Sequence, residues 1–121
     1  MIRAALALSA NPFSAVQTTW NLLEPSAGPA LAEAHDAGWL VVVKEALANG
    51  RLVSRMNVAL DVAARQPWAD IVLSGAVTPS QLRENLQAAT TGPPGRVSWD
   101  VAALAEMPEQ YWAERSARPW Q

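Results

Sequence analysis

The sequence predicts an α/β chain built around a parallel sheet, and three observations carry that expectation. Helix-like and strand-like segments alternate strictly along the chain, an order that gives parallel strands joined by right-handed crossovers. The run Trp39-Leu40-Val41-Val42-Val43 is unbroken in its apolar character and rich in β-branched residues, which suits a strand covered on both faces. A strand at 70–73 then turns into Thr78-Pro79-Ser80-Gln81, a capping box with proline at the first helical position. Three strands fit a small open sheet or an arc of a barrel.

Taken in order, residues 2–9 read as the tail of a helix that Asn11-Pro12 stops. It begins at Met1 without a cap, so further chain is expected upstream. Residues 15–20 are rich in β-formers and read as a short strand. Pro25-Ser26-Ala27-Gly28-Pro29 turns into a helix that Ser26 is expected to cap, with Pro29 in its first turn and Gly38 at C′. Leu31, Ala34 and Ala37 share one face of it at helical spacing. Residues 45–52 form a loop around Asn49-Gly50, and 57–66 a helix ended by Pro67. Ser74-Gly75-Ala76 is a tight turn, and Leu82, Leu86 and Ala89 make the helix after Thr78 amphipathic. Thr91-Gly92-Pro93-Pro94-Gly95 breaks that helix. Short helical pieces at 100–106 and 108–114 precede a tail ending Pro119-Trp120-Gln121. One domain is expected over 1–121, with an α/β arc at 1–91 and a tail at 92–121.

Composition narrows the chemistry. With 50% hydrophobic and 17% charged residues the chain suits a packed fold rather than a disordered one. A formal net charge of −2, with cations scattered along the chain, gives no electrostatic reason for a nucleic-acid partner. The absence of cysteine excludes thiolate nucleophiles and Cys-based metal sites, and one histidine cannot build a His-rich one. No apolar run approaches the roughly 20 residues of a membrane span, so the expectation is a cytoplasmic chain without a membrane partner.

The stretch Val72-Leu73-Ser74-Gly75-Ala76-Val77-Thr78-Pro79-Ser80-Gln81-Leu82-Arg83-Glu84-Asn85-Leu86 resembles the segment of aldo/keto reductases that holds the adenosine end of NADPH. Ala15-Val16-Gln17 with Trp20-Asn21-Leu22-Leu23-Glu24 resembles the family's sixth barrel strand. Val43-Lys44-Glu45-Ala46-Leu47-Ala48-Asn49-Gly50-Arg51-Leu52 resembles the seventh strand and its loop, and Gln66-Pro67-Trp68-Ala69-Asp70 the lead-in to the eighth. These matches fall in family order. They imply a partial TIM barrel: three parallel strands, sixth to eighth, with flanking helices and a C-terminal tail.

The resemblance implies a site for a nicotinamide dinucleotide, NADP(H) or NAD(H). Gln17 matches the residue that hydrogen-bonds the nicotinamide carboxamide. Leu47 to Asn49 match the loop over the pyrophosphate. Ser74, Gly75 and Thr78 allow close approach of a phosphate, and the backbone from Ala76 to Thr78 would face the adenosine phosphate at a helix N-terminus. Glu84 and Asn85 match the pair that contacts adenine. Lys44 stands where many members stack an aromatic ring on the nicotinamide. Gly75 and Gln81 stand where many carry a base against the 2′-phosphate. Thr78 and Gln81 also have a simpler reading, in which they only cap one another.

The family's proton-donating tyrosine and its lysine, aspartate and histidine partners belong to the first four strands, which have no counterpart here. Tyr111 lies in the tail, and His35 in a crossover helix facing solvent or a neighbour. Lys44 beside Glu45 reads as a strand-end ion pair, and Glu106, Glu109 and Glu114 as a solvated face. Trp39 and Trp68 are expected to pack the sheet, while Trp112 and Trp120 either shape a pocket or simply pack. The expected function is therefore the dinucleotide-binding side of an aldo/keto reductase-like oxidoreductase, without catalytic residues of its own. Hydride transfer to an aldehyde or ketone would need the missing N-terminal half. Unpaired strand edges imply that complementary half, or self-association, as partner. The alternative is a non-catalytic α/β binding or assembly module, or an inactive decayed fragment.

Overall fold

A computed structural model describes residues 1–92 and 101–119, with the side chain of residue 101 excepted. The break at Pro93-Pro94-Gly95, the start of a helical piece at Asp100 and the role of Trp120 lie outside the described residues. Helix α1 (Ile2–Leu6) leads to strand β1 (Ala15–Thr19), helix α2 (Gly28–Asp36) and strand β2 (Leu40–Lys44). Helix α3 (Met56–Ala64), strand β3 (Ile71–Val72), helix α4 (Pro79–Thr91) and helix α5 (Pro108–Ala117) follow. The three strands form one parallel sheet in the order β1-β2-β3, with Val16 opposite Val41 and Val43 opposite Val72. This is the mixed α/β architecture with three parallel strands that the alternating pattern predicts.

Sequential strand order with crossovers of one hand places α2 and α3 on a single face of the sheet. That face holds the core. Val41 and Val43 of β2 are fully buried there, together with Leu31 and Ala34 of α2 and Ala59 and Ala63 of α3. Trp20 and Trp68 meet edge to face at 5.4 Å, tying the end of β1 to the lead-in of β3. Gly28 lets α2 approach this pair closely: a Cβ there would lie 3.3 Å from Trp20 Nε1, so the ring would have to give by a few tenths of an ångström. Asp70 knits β2 to β3: its Oδ2 accepts from the Val41 N–H at 2.8 Å, and its Oδ1 lies 3.5 Å from His35 Nε2. His35 thus faces a neighbour.

Among the described residues, the other face of the sheet is open. Leu40, Ile71 and Leu73 are exposed there beside the half-buried Val42. The apolar run of 39–43 therefore records a preference for burial that only one face satisfies. Helix α4 differs from expectation for the same reason. Leu82 and Leu86 point outward, while Ala89 packs against the core as expected and Ala88 beside it is fully buried.

Local signals are otherwise mixed. Gly38 sits at C′ of α2 with φ +87°, the left-handed position for which glycine is suited. Ser26 does not cap α2. The helix starts one residue later than expected, so Ala27, which has no side-chain acceptor, holds that position, while the Ser26 N–H donates to Glu24 Oε1 at 2.9 Å in the turn before it. Ala37 is exposed rather than on the buried stripe.

Leu31→Ala should lower the unfolding free energy by about 3 kcal/mol, since it empties a fully enclosed site. Leu86→Ala, on the exposed face of α4, should change it by less than about 0.5 kcal/mol. Urea unfolding of both variants measures the contrast, and equal losses would mean that the α4 face is packed.

Candidate functional site

In parallel α/β sheets, ligand sites gather beyond the carboxyl ends of the strands. Beyond β2 the chain enters a tight turn at 45–50, in which Glu45, Ala48 and Asn49 adopt left-handed φ values of 57°, 50° and 55°. Each such residue other than glycine is disfavoured by roughly 1–2 kcal/mol, less for Asn, so the turn must be held by its surroundings. Within it the Ala48 N–H donates to the Glu45 carbonyl at 2.8 Å, and Asn49 Nδ2 to Glu45 Oε2 at 3.1 Å.

Beyond β3, residues 73–77 run without regular structure to the N-cap Thr78, whose Oγ1 accepts from the Gln81 N–H at 3.2 Å. Gln81 Oε1 in return accepts from the Val77 N–H at 2.9 Å, one residue earlier than in a standard capping box. Ser74 Oγ accepts from the Ala76 N–H at 3.2 Å and from Asn85 Nδ2 at 2.8 Å. Ser80 Oγ donates to Glu84 Oε1 at 3.3 Å. The short segment is thus laced to the first two turns of α4.

Between these two structures lies a groove of about 610 Å³. One wall is Leu47, Asn49 and Gly50, the other is Leu73, Ser74, Gly75 and Ala76 with Gln81, Glu84 and Asn85, and Val53, Met56 and Leu60 add apolar surface. Eight residues singled out from the sequence therefore come together: Leu47, Asn49, Ser74, Gly75, Ala76, Gln81, Glu84 and Asn85. Thr78 caps α4 beside the groove without lining it. Gln17 and Lys44 lie elsewhere, on the open sheet face, Gln17 paired in register with Val42 and Lys44 with Thr19. Among the described lining residues the formal charges are Glu45 and Glu84, both negative.

The C-terminal helix secures the first wall. Arg115 Nη2 lies 3.1 Å from Glu45 Oε1, Arg118 Nη1 donates to the Asn49 carbonyl at 3.0 Å, and Asn21 Nδ2 bridges the Glu45 carbonyl (2.9 Å) and Tyr111 Oη (3.0 Å). Burial pushes the Glu45 carboxyl up. Hydrogen bonds from Arg115 and Asn49 and the charges of Arg115 and Lys44 outweigh it, holding that carboxyl below the ordinary glutamate range. The ion pair in contact is Glu45–Arg115 at 3.1 Å, while Lys44 acts on Glu45 through its charge. Burial raises the Tyr111 hydroxyl above its usual value, against the opposing hydrogen bond from Asn21. Glu106 is likewise no solvated residue: its carboxylate forks onto Arg51, whose guanidinium also lies 3.5 Å from Glu114 and 5.9 Å from the Tyr111 ring centre. Trp112 rests edge-on against Tyr111 and is partly exposed, away from the groove.

No family model, curated protein or solved structure matches the chain. Among the described residues no cluster of His, Asp and Glu could hold a metal ion, and no helix is long and apolar enough to cross a membrane.

The Glu45–Arg115 pair should be visible in the pH dependence of stability. Because the folded-state carboxyl titrates below its unfolded value, its contribution is complete above the ordinary glutamate range and is lost as pH falls through the folded value. Wild type should exceed Glu45→Gln in unfolding free energy at about pH 7, and the gap should narrow towards about pH 3. A gap independent of pH in urea titrations would contradict the pairing.

Proposed function

We propose that residues 1–121 form the dinucleotide-binding side of an aldo/keto reductase-like barrel, with β1, β2 and β3 as its sixth to eighth strands. The observation that carries this reading is the groove, in which eight residues assigned to the dinucleotide by resemblance converge from two separate segments. Two further features support it. The open sheet face bearing Leu40, Val42, Ile71 and Leu73 is the side that a closed barrel would turn inward. The outward Leu82 and Leu86 of α4 are what a helix beside absent barrel elements would leave uncovered.

The groove suits the adenosine end of a dinucleotide. Its size falls within the ~300–1,000 Å³ of small-molecule sites. Asn85 commits one Nδ2 proton to Ser74, and its Oδ1 can accept from an adenine amino group while Glu84 offers a second acceptor. A 2′-phosphate fits poorly. The formal charges lining the groove are carboxylates, and the Ala76 and Val77 N–H groups are already given to Ser74 and Gln81. The reading thus favours NAD(H) over NADP(H). A bound nicotinamide cofactor would supply the hydride. The residues here hold and orient it, while the carbonyl's proton donor would come from segments outside these 121 residues. The open apolar sheet face also favours a second reading, a non-catalytic assembly module that binds a further chain there.

Titration with NADH and NADPH, followed by cofactor fluorescence, should give tighter binding of NADH. The Glu84→Ala/Asn85→Ala double variant should raise the NADH Kd roughly tenfold, about 1.4 kcal/mol. Unchanged affinity in that variant would remove the adenine assignment. The chain alone should reduce no aldehyde or ketone above background, and turnover would show that a proton donor is present after all.

A further inference from the structure

We infer that α5 latches the rim of the groove, with Arg115 as a positioning residue that holds the turn at 45–50 in its groove-forming shape. Three observations lead there. The turn concentrates left-handed backbone at Glu45, Ala48 and Asn49, a conformation that Glu45 and Ala48 resist unless their surroundings fix it. Besides the bonds within the turn, anchors reach it from far away in sequence: Arg115 grips the Glu45 carboxylate through Nε and Nη2, and Arg118 Nη1 donates to the Asn49 carbonyl at 3.0 Å. The buried Tyr111 then seats α5 against the same turn through Asn21, whose Nδ2 also holds the Glu45 carbonyl.

Both of these turn residues line the groove, so α5 sets the wall without touching a ligand itself. Removing the guanidinium frees the carboxylate and lets Glu45 and Asn49 relax towards ordinary backbone angles. The wall then opens while the sheet stays intact, because the β1–β2 and β2–β3 ladders and the packing of α2 on β2 do not depend on the Glu45–Arg115 pair. The effect on any ligand rests on the dinucleotide reading, whereas the latch itself does not.

Hydrogen exchange on the full chain, without ligand, tests the latch. In Arg115→Ala the amides of residues 45–50 should exchange about tenfold faster, with those of 41–43 and of α3 unchanged, and Arg115→Lys should restore part of the protection. Arg118→Ala, which removes only the bond to the Asn49 carbonyl, decides the same question at smaller amplitude should Arg115→Ala fail to fold. Unchanged exchange at 45–50 would overturn the latch. So would a uniform rise across the whole chain, which marks Arg115 as a general stabiliser. NADH titration of the same variants should show a several-fold loss of affinity in Arg115→Ala. If wild type binds no NADH, the dinucleotide reading fails while the exchange result still decides the latch.

Discussion

The side-chain amide of Asn21 joins three parts of the chain that sequence keeps far apart. It is almost completely buried, and its Oδ1 accepts from the Leu23 and Glu24 N–H groups, shaping the turn after β1. Its Nδ2 reaches both the Glu45 carbonyl and Tyr111 Oη. A buried amide is costly unless its donors and acceptor are matched, and here both kinds are engaged. That requirement fixes the end of β1, the start of the groove wall and the seat of α5 in one arrangement. The ion pairs around it then act on groups that are already placed: Arg115 on Glu45, and Arg51 on Glu106 and Glu114.

Much of this was legible in the residues because it is local. Gly38 and Thr78 end and begin helices through backbone rules that act over four residues, and both do so here. The gathering of Ser74, Gly75, Gln81, Glu84 and Asn85 is also local, since a turn followed by two helical turns must bring them together. What stayed hidden is of two kinds. Glu45 and Arg115 are 70 positions apart, and no periodicity announces such a pair. Glu45 and Ala48 carry none of the residue preferences that mark left-handed backbone, so the turn looked like an ordinary loop around Asn49-Gly50.

The second kind concerns burial. The apolar run of β2 and the spacing of Leu82 and Leu86 both promise coverage that the structure does not supply. Apolar periodicity states what a segment prefers, and coverage also needs an occupant. Where preference and coverage part company, at the open sheet face and along α4, the mismatch says more about the setting of this chain than either alone. Gln17 and Lys44 fall on that open face, while the groove lies beyond the strand ends, and Leu73 borders both.

The strand register also constrains how the chain finds this arrangement. Val16 pairs with Val41, and Val43 with Val72, so each ladder closes a long excursion and no hairpin offers a short first step. The two excursions are similar in length, and closure entropy grows only slowly with length, so neither ladder is kinetically favoured on that ground. Either order of assembly must pass through the central strand. A lesion at Val41 or Val43 would therefore block both routes at once, whereas damage to β1 or β3 leaves the opposite ladder free to nucleate.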